Sequence, residues 1–454
     1  MEELQQSVWK QENREAIFNY GEEYKAFLDE AKTEREAVDY IVAAAKEHGF
    51  KNLDDIKEAK AGDKILVNNK GKSVVLFVLG ENLEEGLRIV GSHIDSPRLD
   101  VKARPLYDDS GLALFKTHYY GGIKKYQWVA MPLAIHGVVF RKDGSKITLN
   151  IGERDDDPVF FINDLLPHLG ADQMKKTAAE AITGEQLNVV VGHIPGEEEK
   201  NPVKALVLKH LQEEYGITEG DFQVAELEVV PAMKARDVGF DRGMVAGYGQ
   251  DDRVASFANL KAILSVERPK NTVAAIFADK EEIGSVGNTG MSAAFFKNAV
   301  AELVALTSEG GHYSELTLRR ALAKSKIISA DVTAAMDPSF KEVMDDKNSA
   351  LVGSGVTINK FTGARGKSSA SDANAEFLQE VRKILDDAGI IWQTGEMGKV
   401  DQGGGGTIAF LLADYGAEVL DMGTAMLSMH APYELLSKAD AYMTYRAYEA
   451  FLKA

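Results

Sequence analysis

Residues Asn271–Gly290 read NTVAAIFADKEEIGSVGNTG, an apolar run that feeds into a cluster of carboxylates and then into glycines. Thr272 to Ala278 are almost all apolar, with β-branched and aromatic members, the pattern of a strand covered on both faces as in a parallel sheet. Asp279, Glu281 and Glu282 fall where that strand ends. Open α/β sheets bind ligands outside the carboxyl ends of their strands, so adjacent acids at this point are placed for chemistry. A DKEE run also serves as an ordinary solvated turn. Only its company elsewhere in the chain separates the two readings.

That company begins upstream. Leu87 to Val90 is a short apolar strand that runs into GSHIDSPRLD, Gly91–Asp100. His93 and Asp95 lie two apart, so in an extended segment they share one side and the carboxylate can orient the imidazole. Downstream, GYGQDDRVASFANLKAILSV, Gly247–Val266, places Asp251 and Asp252 ahead of apolar residues at helical spacing. Helix capping accounts for two acids there as readily as catalysis does. Ile327–Ala330 is a further apolar strand and ends at Asp331, while GTAMLSMHAPYELL carries His430 into a terminal helix.

The remaining chain frames these clusters. Residues 1–49 have helical periodicity, and Lys64–Val67 with Ser73–Leu79 form a hairpin through NNKGK. From Val101 to about Ala235 the texture changes to short β-like runs, with helix-like pieces at Asp172–Ile182 and Val203–Glu214. The hairpin Val139–Ile151 turns at KDGS, and the strand-like run Trp128–Phe140 includes His136 as a core residue. The last third predicts a helix Ala293–Asn298, a strand Leu303–Thr307, a helix Asn374–Ala388 and a strand Glu418–Met422. The glycine run Gly403–Gly406, Gly404 among them, is expected to open another helix. There its bare amides could hold an anion, or the glycines could simply allow close packing. The expected class is α/β: a mixed, largely parallel sheet flanked by helices from residues 1–100 and 236–454, interrupted by a β-rich domain at 101–235.

Composition narrows the function classes. The 454 residues carry 52 Lys and Arg against 70 Asp and Glu, a net charge of -18 that repels phosphate backbones and anionic lipid. Neither nucleic acid nor membrane is an expected partner, and no run approaches the ~20 apolar residues of a membrane span. The opening residues MEELQQSVWKQENREA are too polar for a signal peptide, so a cytoplasmic location is the expectation. There is no cysteine, so a metal site must use His and carboxylates.

His93, Asp251, Glu282, Asp331 and His430 all follow apolar strands or precede helices. Two imidazoles and three carboxylates suit zinc, manganese or cobalt, and five ligands suffice for two ions sharing a bridging carboxylate. Such a pair, about 3.5–4 Å apart, can hold a hydroxide and polarise a carbonyl, which makes hydrolysis the expected reaction. Glu281, beside a ligand, is placed to accept the water proton and pass it to the leaving amine. Two rivals stand beside this reading. One is a di-metal deacylase or carboxypeptidase on a similar core. The other is a non-enzymatic nucleotide-binding scaffold built on GSVGNTG or the glycine run, although that spacing lacks the short first gap of a dinucleotide fingerprint.

In their order, GSHIDSPRLD, the Asp-Asp-Arg segment, DKEEIGS, the Ser-Ala-Asp segment and LSMHAPYE resemble the aspartyl aminopeptidase and aminopeptidase I family of di-zinc exopeptidases, from about residue 90 onward. The resemblance implies that His93 and His430 are terminal ligands, that Asp251 rather than Asp252 bridges the ions, and that Glu282 and Asp331 each bind one. It makes Glu281 the general base and Asp95 the residue that steers His93. It further implies peptide substrates, and an α/β catalytic domain with the insert as lid and oligomerisation domain. The assembly would be a tetrahedral homo-dodecamer in which a histidine of the insert, His168 first and His118 second, enters a neighbouring site. In the acidic-specific branch the segment after the ligand matching Asp331 carries histidines, where this chain has Ala334 and Asp337. Lys399, just before the glycine run, is the candidate cation for an acidic side chain.

Overall fold

The computed structural model describes residues 7–454. They divide into two compact units, one of residues up to Asp95, Ala235–Met429 and Glu434–Ala454, the other of Ser96–Lys234 with His430–Tyr433.

The first unit is organised by a nine-stranded sheet. Its order is Lys51–Asn52, Lys64–Asn69, Ser73–Val78, Thr272–Ala278, Leu87–His93, Lys326–Ser329, Glu418–Gly423, Val356–Asn359 and Trp392–Thr394. Five of the eight pairings are parallel, so the sheet is mixed and largely parallel. Every residue of Thr272–Ala278 is buried. Val273, Ala275 and Phe277 enter one core with Phe27, Val38, Phe257 and Tyr448. Ala274, Ile276 and Ala278 enter a second with Phe77, Phe296, Val300 and Leu303. Side chains alternate across a strand, so an unbroken apolar run marks a strand with a core on each face.

Register then brings the polar ends together. Thr272–Ala278 runs parallel to Leu87–His93 with Ala278 opposite His93, and Ile94 N–H donates to Ala278 O at 2.9 Å. Lys326–Ser329 runs parallel on the other side with Ser329 opposite Gly91. Three neighbouring strands therefore finish at one edge, and the residues just beyond them are Asp95, Glu281, Glu282 and Asp331.

Several local expectations are corrected. Leu303–Thr307 is not a strand but the end of one helix, Phe295–Thr307, whose buried residues Phe296, Ala299, Val300, Leu303 and Val304 follow helical spacing. A five-residue apolar run does not distinguish the two periods by itself. The piece at 172–182 is helical only over Ala178–Ala181, after a turn at Gln173–Lys175, because Thr177 and Glu180 form a capping box that starts a fresh turn. The strand expected from Trp128 begins at Leu133, after a 3-10 turn Lys125–Trp128 and after Pro132, which has no N–H to give a ladder. Of the helical run expected at 1–49, residues 1–6 lie outside the described residues; the rest forms Val8–Gln11, Arg14–Glu30 and Glu34–Glu47.

The second unit is a six-stranded antiparallel sheet, in the order Lys146–Ile151, Leu133–Phe140, Ala225–Pro231, Arg98–Asp109, Leu112–Tyr120 and Val189–Gly192, with the helix Pro202–Tyr215. His136 is fully buried there, with Nε2 3.1 Å from Glu153 Oε1. Among the described residues no helix is long and apolar enough to cross a membrane.

Candidate metal centre

His93 closes its strand fully buried, and the chain turns back on it at once. Its Nδ1 lies 3.0 Å from the carbonyl of Asp95 and 3.3 Å from Asp95 Oδ1. An Nδ1–H held this way leaves Nε2 to carry the lone pair a metal needs. Asp95 has a second task. Its Oδ1 accepts from Glu281 N–H at 3.0 Å and its Oδ2 from Glu282 N–H at 3.2 Å. One buried carboxylate thus ties the imidazole to the turn Glu281–Ile283 that carries both glutamates.

That turn is set by its flanks. Lys280 and Gly284 adopt positive φ, 65° and 94°. Asp279 Oδ2 accepts from Thr289 Oγ1 at 2.6 Å and Lys280 Nζ at 2.8 Å, closing the loop behind the glutamates. Gly290 is required at the closure, since a Cβ there would stand 2.4 Å from Ser285 O.

Asp251 and Asp252 begin the helix Gln250–Leu264, and the peptide bond between them is cis. Their carboxylates reach His93 instead of only capping the helix. Asp251 Oδ1 is 3.2 Å from His93 Nε2, and Asp252 Oδ2 accepts from His93 N–H at 3.2 Å. The Asp251 N–H in turn donates to Glu434 Oε2 at 3.2 Å. Asp331 follows the strand Lys326–Ser329 and packs so closely on the next strand that a Cβ at Gly423 would lie 2.0 Å from its carbonyl oxygen.

Two groups of potential ligand atoms result, His93 with Asp251 and Glu282, and His93 with Asp252 and Asp331, the atoms within each lying no more than 4.8 Å apart. Oxygen and nitrogen ligands sit about 2 Å from zinc, so an ion accepts partners spaced on this scale. Electrostatics points the same way. Burial lowers the pKa of His93, but hydrogen bonds to Asp251 and Asp95 and the charges of Glu281 and Asp252 push it well above 6.5. Burial and then the charge of Asp331 push Asp252 well up, and burial and then Asp251 do the same to Asp331. The carboxylates repel one another, and a divalent cation relieves that repulsion. Asp252 Oδ1 is buried with no hydrogen-bond partner among the described residues. The donor set fits a divalent metal.

The other expected site residues lie as follows. His430 falls in the second unit, belongs to neither group, and holds Nδ1 2.8 Å from Gly122 O. His168 is exposed in the turn Pro167–Leu169, and His118 is exposed with Nδ1 2.7 Å from Tyr119 O. Lys399 Nζ donates to Glu342 O at 2.6 Å. The glycine run does not lead directly into its helix, which spans only Ala409–Ala413. Gly404 has φ 128°, and a Cβ on it would lie 2.5 Å from Gly363 O, so close backbone approach accounts for it.

Sequence reasoning missed three supports. Ser256 Oγ donates to His93 O at 2.7 Å, and Asn259 Nδ2 to Val90 O at 3.0 Å, fixing the strand end from the helix behind it. Glu434, buried under Asp251, was an available signal, an acid opening the apolar strand Glu434–Ser437.

The model of the aminopeptidase I zinc metalloprotease family (M18) matches residues 27–452. A probable M18 family aminopeptidase 1 of Clostridium acetobutylicum is 51% identical over 443 residues, covering 96% of this chain and 95% of that one. The crystal structure of an M18 family aminopeptidase from Thermotoga maritima superposes with a TM-score of 0.96 at 47% identity, covering 99% of each chain. The mApe1 dodecamer of S. cerevisiae shares the fold at 21% identity and a TM-score of 0.77, covering 95% of this chain and 96% of that one.

Proposed function

The chain belongs to the aminopeptidase I zinc metalloprotease family, M18, and from that premise we propose that the buried cluster around His93 is its centre for two divalent ions. The protein is a zinc metallo-aminopeptidase, a hydrolase; the deacylase, carboxypeptidase and nucleotide-scaffold readings are not favoured. The observation that carries the site assignment is the pair of carboxylate sets gathered at His93, Asp251 with Glu282 and Asp252 with Asp331. On this reading His93 and His430 would be the terminal ligands, Asp251 the ligand common to both ions, and Glu282 and Asp331 would each hold one, with zinc first and cobalt or manganese accepted by the same donors. Asp251 is favoured over Asp252 as the bridge because its Oδ1 faces the ligating Nε2, whereas Asp252 Oδ2 is engaged by the His93 N–H.

When bound, the ions supply Lewis acidity for the scissile carbonyl and a more acidic attacking water. The chain's own residues supply the rest. Glu281, with Oε2 4.0 Å from His93 Nε2, takes the water proton and returns it to the leaving amine. Asp95 holds Glu281 and Glu282 by their amides and fixes the His93 tautomer. Lys399, whose Nζ donates to Glu342 O, and Gly404 are assigned to an acidic substrate side chain. With Ala334 and Asp337 after Asp331, neutral N-terminal residues are substrates as well.

The second unit acts as lid and assembly domain. Leu165, Leu166, Leu169 and Met174 are exposed around His168, a concentration of apolar surface that a second copy would cover. This supports His168, with His118 second, as the histidine lent to a neighbouring site in a tetrahedral dodecamer. The assembly works in the cytoplasm.

A panel of aminoacyl substrates and peptides, free or acetylated at the N-terminus, tests the reading on protein reloaded with each metal. Cleavage requires a free N-terminus and survives a blocked C-terminus. Hydrolysis of acetylated peptides at the same rate sinks it.

A further inference from the structure

The strands Arg236–Val238 and Met244–Gly247 pair antiparallel, and the turn between them carries Phe240 at 112% relative exposure, the highest of any large apolar side chain among the described residues. The turn is well defined. Arg242 N–H donates to Gly239 O at 3.2 Å, Gly243 N–H donates to Asp241 Oδ1 at 3.1 Å, and Gly239 takes φ 88°. A hydrogen-bonded turn therefore holds a phenyl ring out in water, where its burial energy goes unused.

Beside this turn lies a cavity of about 370 Å³, walled by Trp9, Val238, Met244, Val352, Ser354 and Ser437. The cavity opens to solvent and at that volume has room for a phenyl ring. The wall is fixed in place. Val8 N–H donates to Gly353 O at 3.0 Å, and the buried carboxylate of Asp440 accepts from Gly353 N–H at 2.6 Å and Gly355 N–H at 2.8 Å. Gly239 and Asp241, the two neighbours of Phe240, both line the cavity. The ring thus rises from the rim of a hole that it does not fill.

A projection and a receptacle side by side on one surface are complementary to the same surface turned through a two-fold axis, the condition for an isologous contact. Asp241 and Arg242, adjacent, exposed and opposite in sign, are self-complementary under the same operation. We infer that this face is a two-fold contact between copies of the chain, in which Phe240 of each copy enters the Trp9–Val352 cavity of the other. The inference rests on the homo-oligomer reading above and names one of its contacts.

The test is the mass of the full-length, zinc-loaded protein by sedimentation velocity across a concentration series, for wild type, Phe240→Ala, Phe240→Glu and the cavity-filling Ser354→Trp. Wild type is expected to assemble. Phe240→Glu and Ser354→Trp are each expected to raise the concentration needed for assembly at least tenfold and to accumulate a smaller species, with Phe240→Ala intermediate. Circular dichroism and zinc content should match wild type, and Ser354→Trp decides the matter if Phe240→Glu misfolds. Variants that assemble like wild type overturn this contact and leave the homo-oligomer reading intact. A wild-type protein that stays monomeric at all concentrations overturns both. Uptake of indole into the cavity of the assembled wild type also overturns the contact, since the cavity is then not filled by Phe240.

Discussion

Glu281→Gln lowers kcat by about 10²- to 10⁴-fold, the range a positioned general base contributes, while both ions stay bound. The amide has nearly the same shape and keeps the backbone N–H that donates to Asp95 Oδ1 at 3.0 Å, so the turn Glu281–Ile283 persists. What it loses is the ability to take a proton. Glu281 belongs to neither ligand group, although its Oε2 lies 4.0 Å from His93 Nε2. Metal content should therefore be unchanged and KM little altered, which separates loss of the base from loss of a ligand. Steady-state kinetics together with elemental analysis checks this. Full turnover, or loss of metal in parallel with activity, would remove Glu281 from the role.

The second large effect separates the two aspartates at the start of Gln250–Leu264. Asp251→Asn removes the charge that faces His93 Nε2 at 3.2 Å and groups with Glu282. A bridging carboxylate serves both ions, so its loss empties both positions and abolishes hydrolysis. Asp252→Asn leaves an oxygen able to accept from the His93 N–H, a bond of 3.2 Å in the native chain. It acts on a supporting group, for which the cost is about 10- to 100-fold in affinity or activity. Titration of each apo variant with zinc, read by calorimetry, ranks them. If Asp252→Asn loses both ions and Asp251→Asn keeps them, the bridge has been assigned to the wrong residue.

The fold was legible where one physical rule governed a whole segment. Thr272–Ala278 reads as a strand between two cores because every residue is apolar, and the structure gives it a core on each face. The change of texture after Val101 falls close to where an antiparallel sheet takes over from the mixed one, and Leu112–Tyr120 shows the alternation of a half-exposed strand, whereas Leu133–Phe140 is buried almost throughout. Leu303–Thr307 misled because five apolar residues fit either period, and the deciding contacts lie back at Phe296, Ala299 and Val300 in the same helix.

At the site, the clustering of His93, Asp95, Glu281, Glu282 and Asp331 could be anticipated because each follows a strand, and parallel register brings strand ends together. The bonds that fix those groups could not. Ser256 lies 163 residues from His93 and Glu434 lies 183 from Asp251, and no local pattern relates them. The glycine run shows the converse difficulty. Its composition suited an anion site, but the fold brings Gly404 against Gly363, a contact that only chain packing determines.

The central claim is that two sets of carboxylates gathered at His93, Asp251 with Glu282 and Asp252 with Asp331, mark a two-ion centre. It is tested most directly by counting zinc per chain by mass spectrometry in the native state, on protein stripped with a chelator and reloaded to saturation. The account predicts two ions per chain, with hydrolysis returning only as they bind. Saturation with no ion, or with a single ion at full activity, contradicts it.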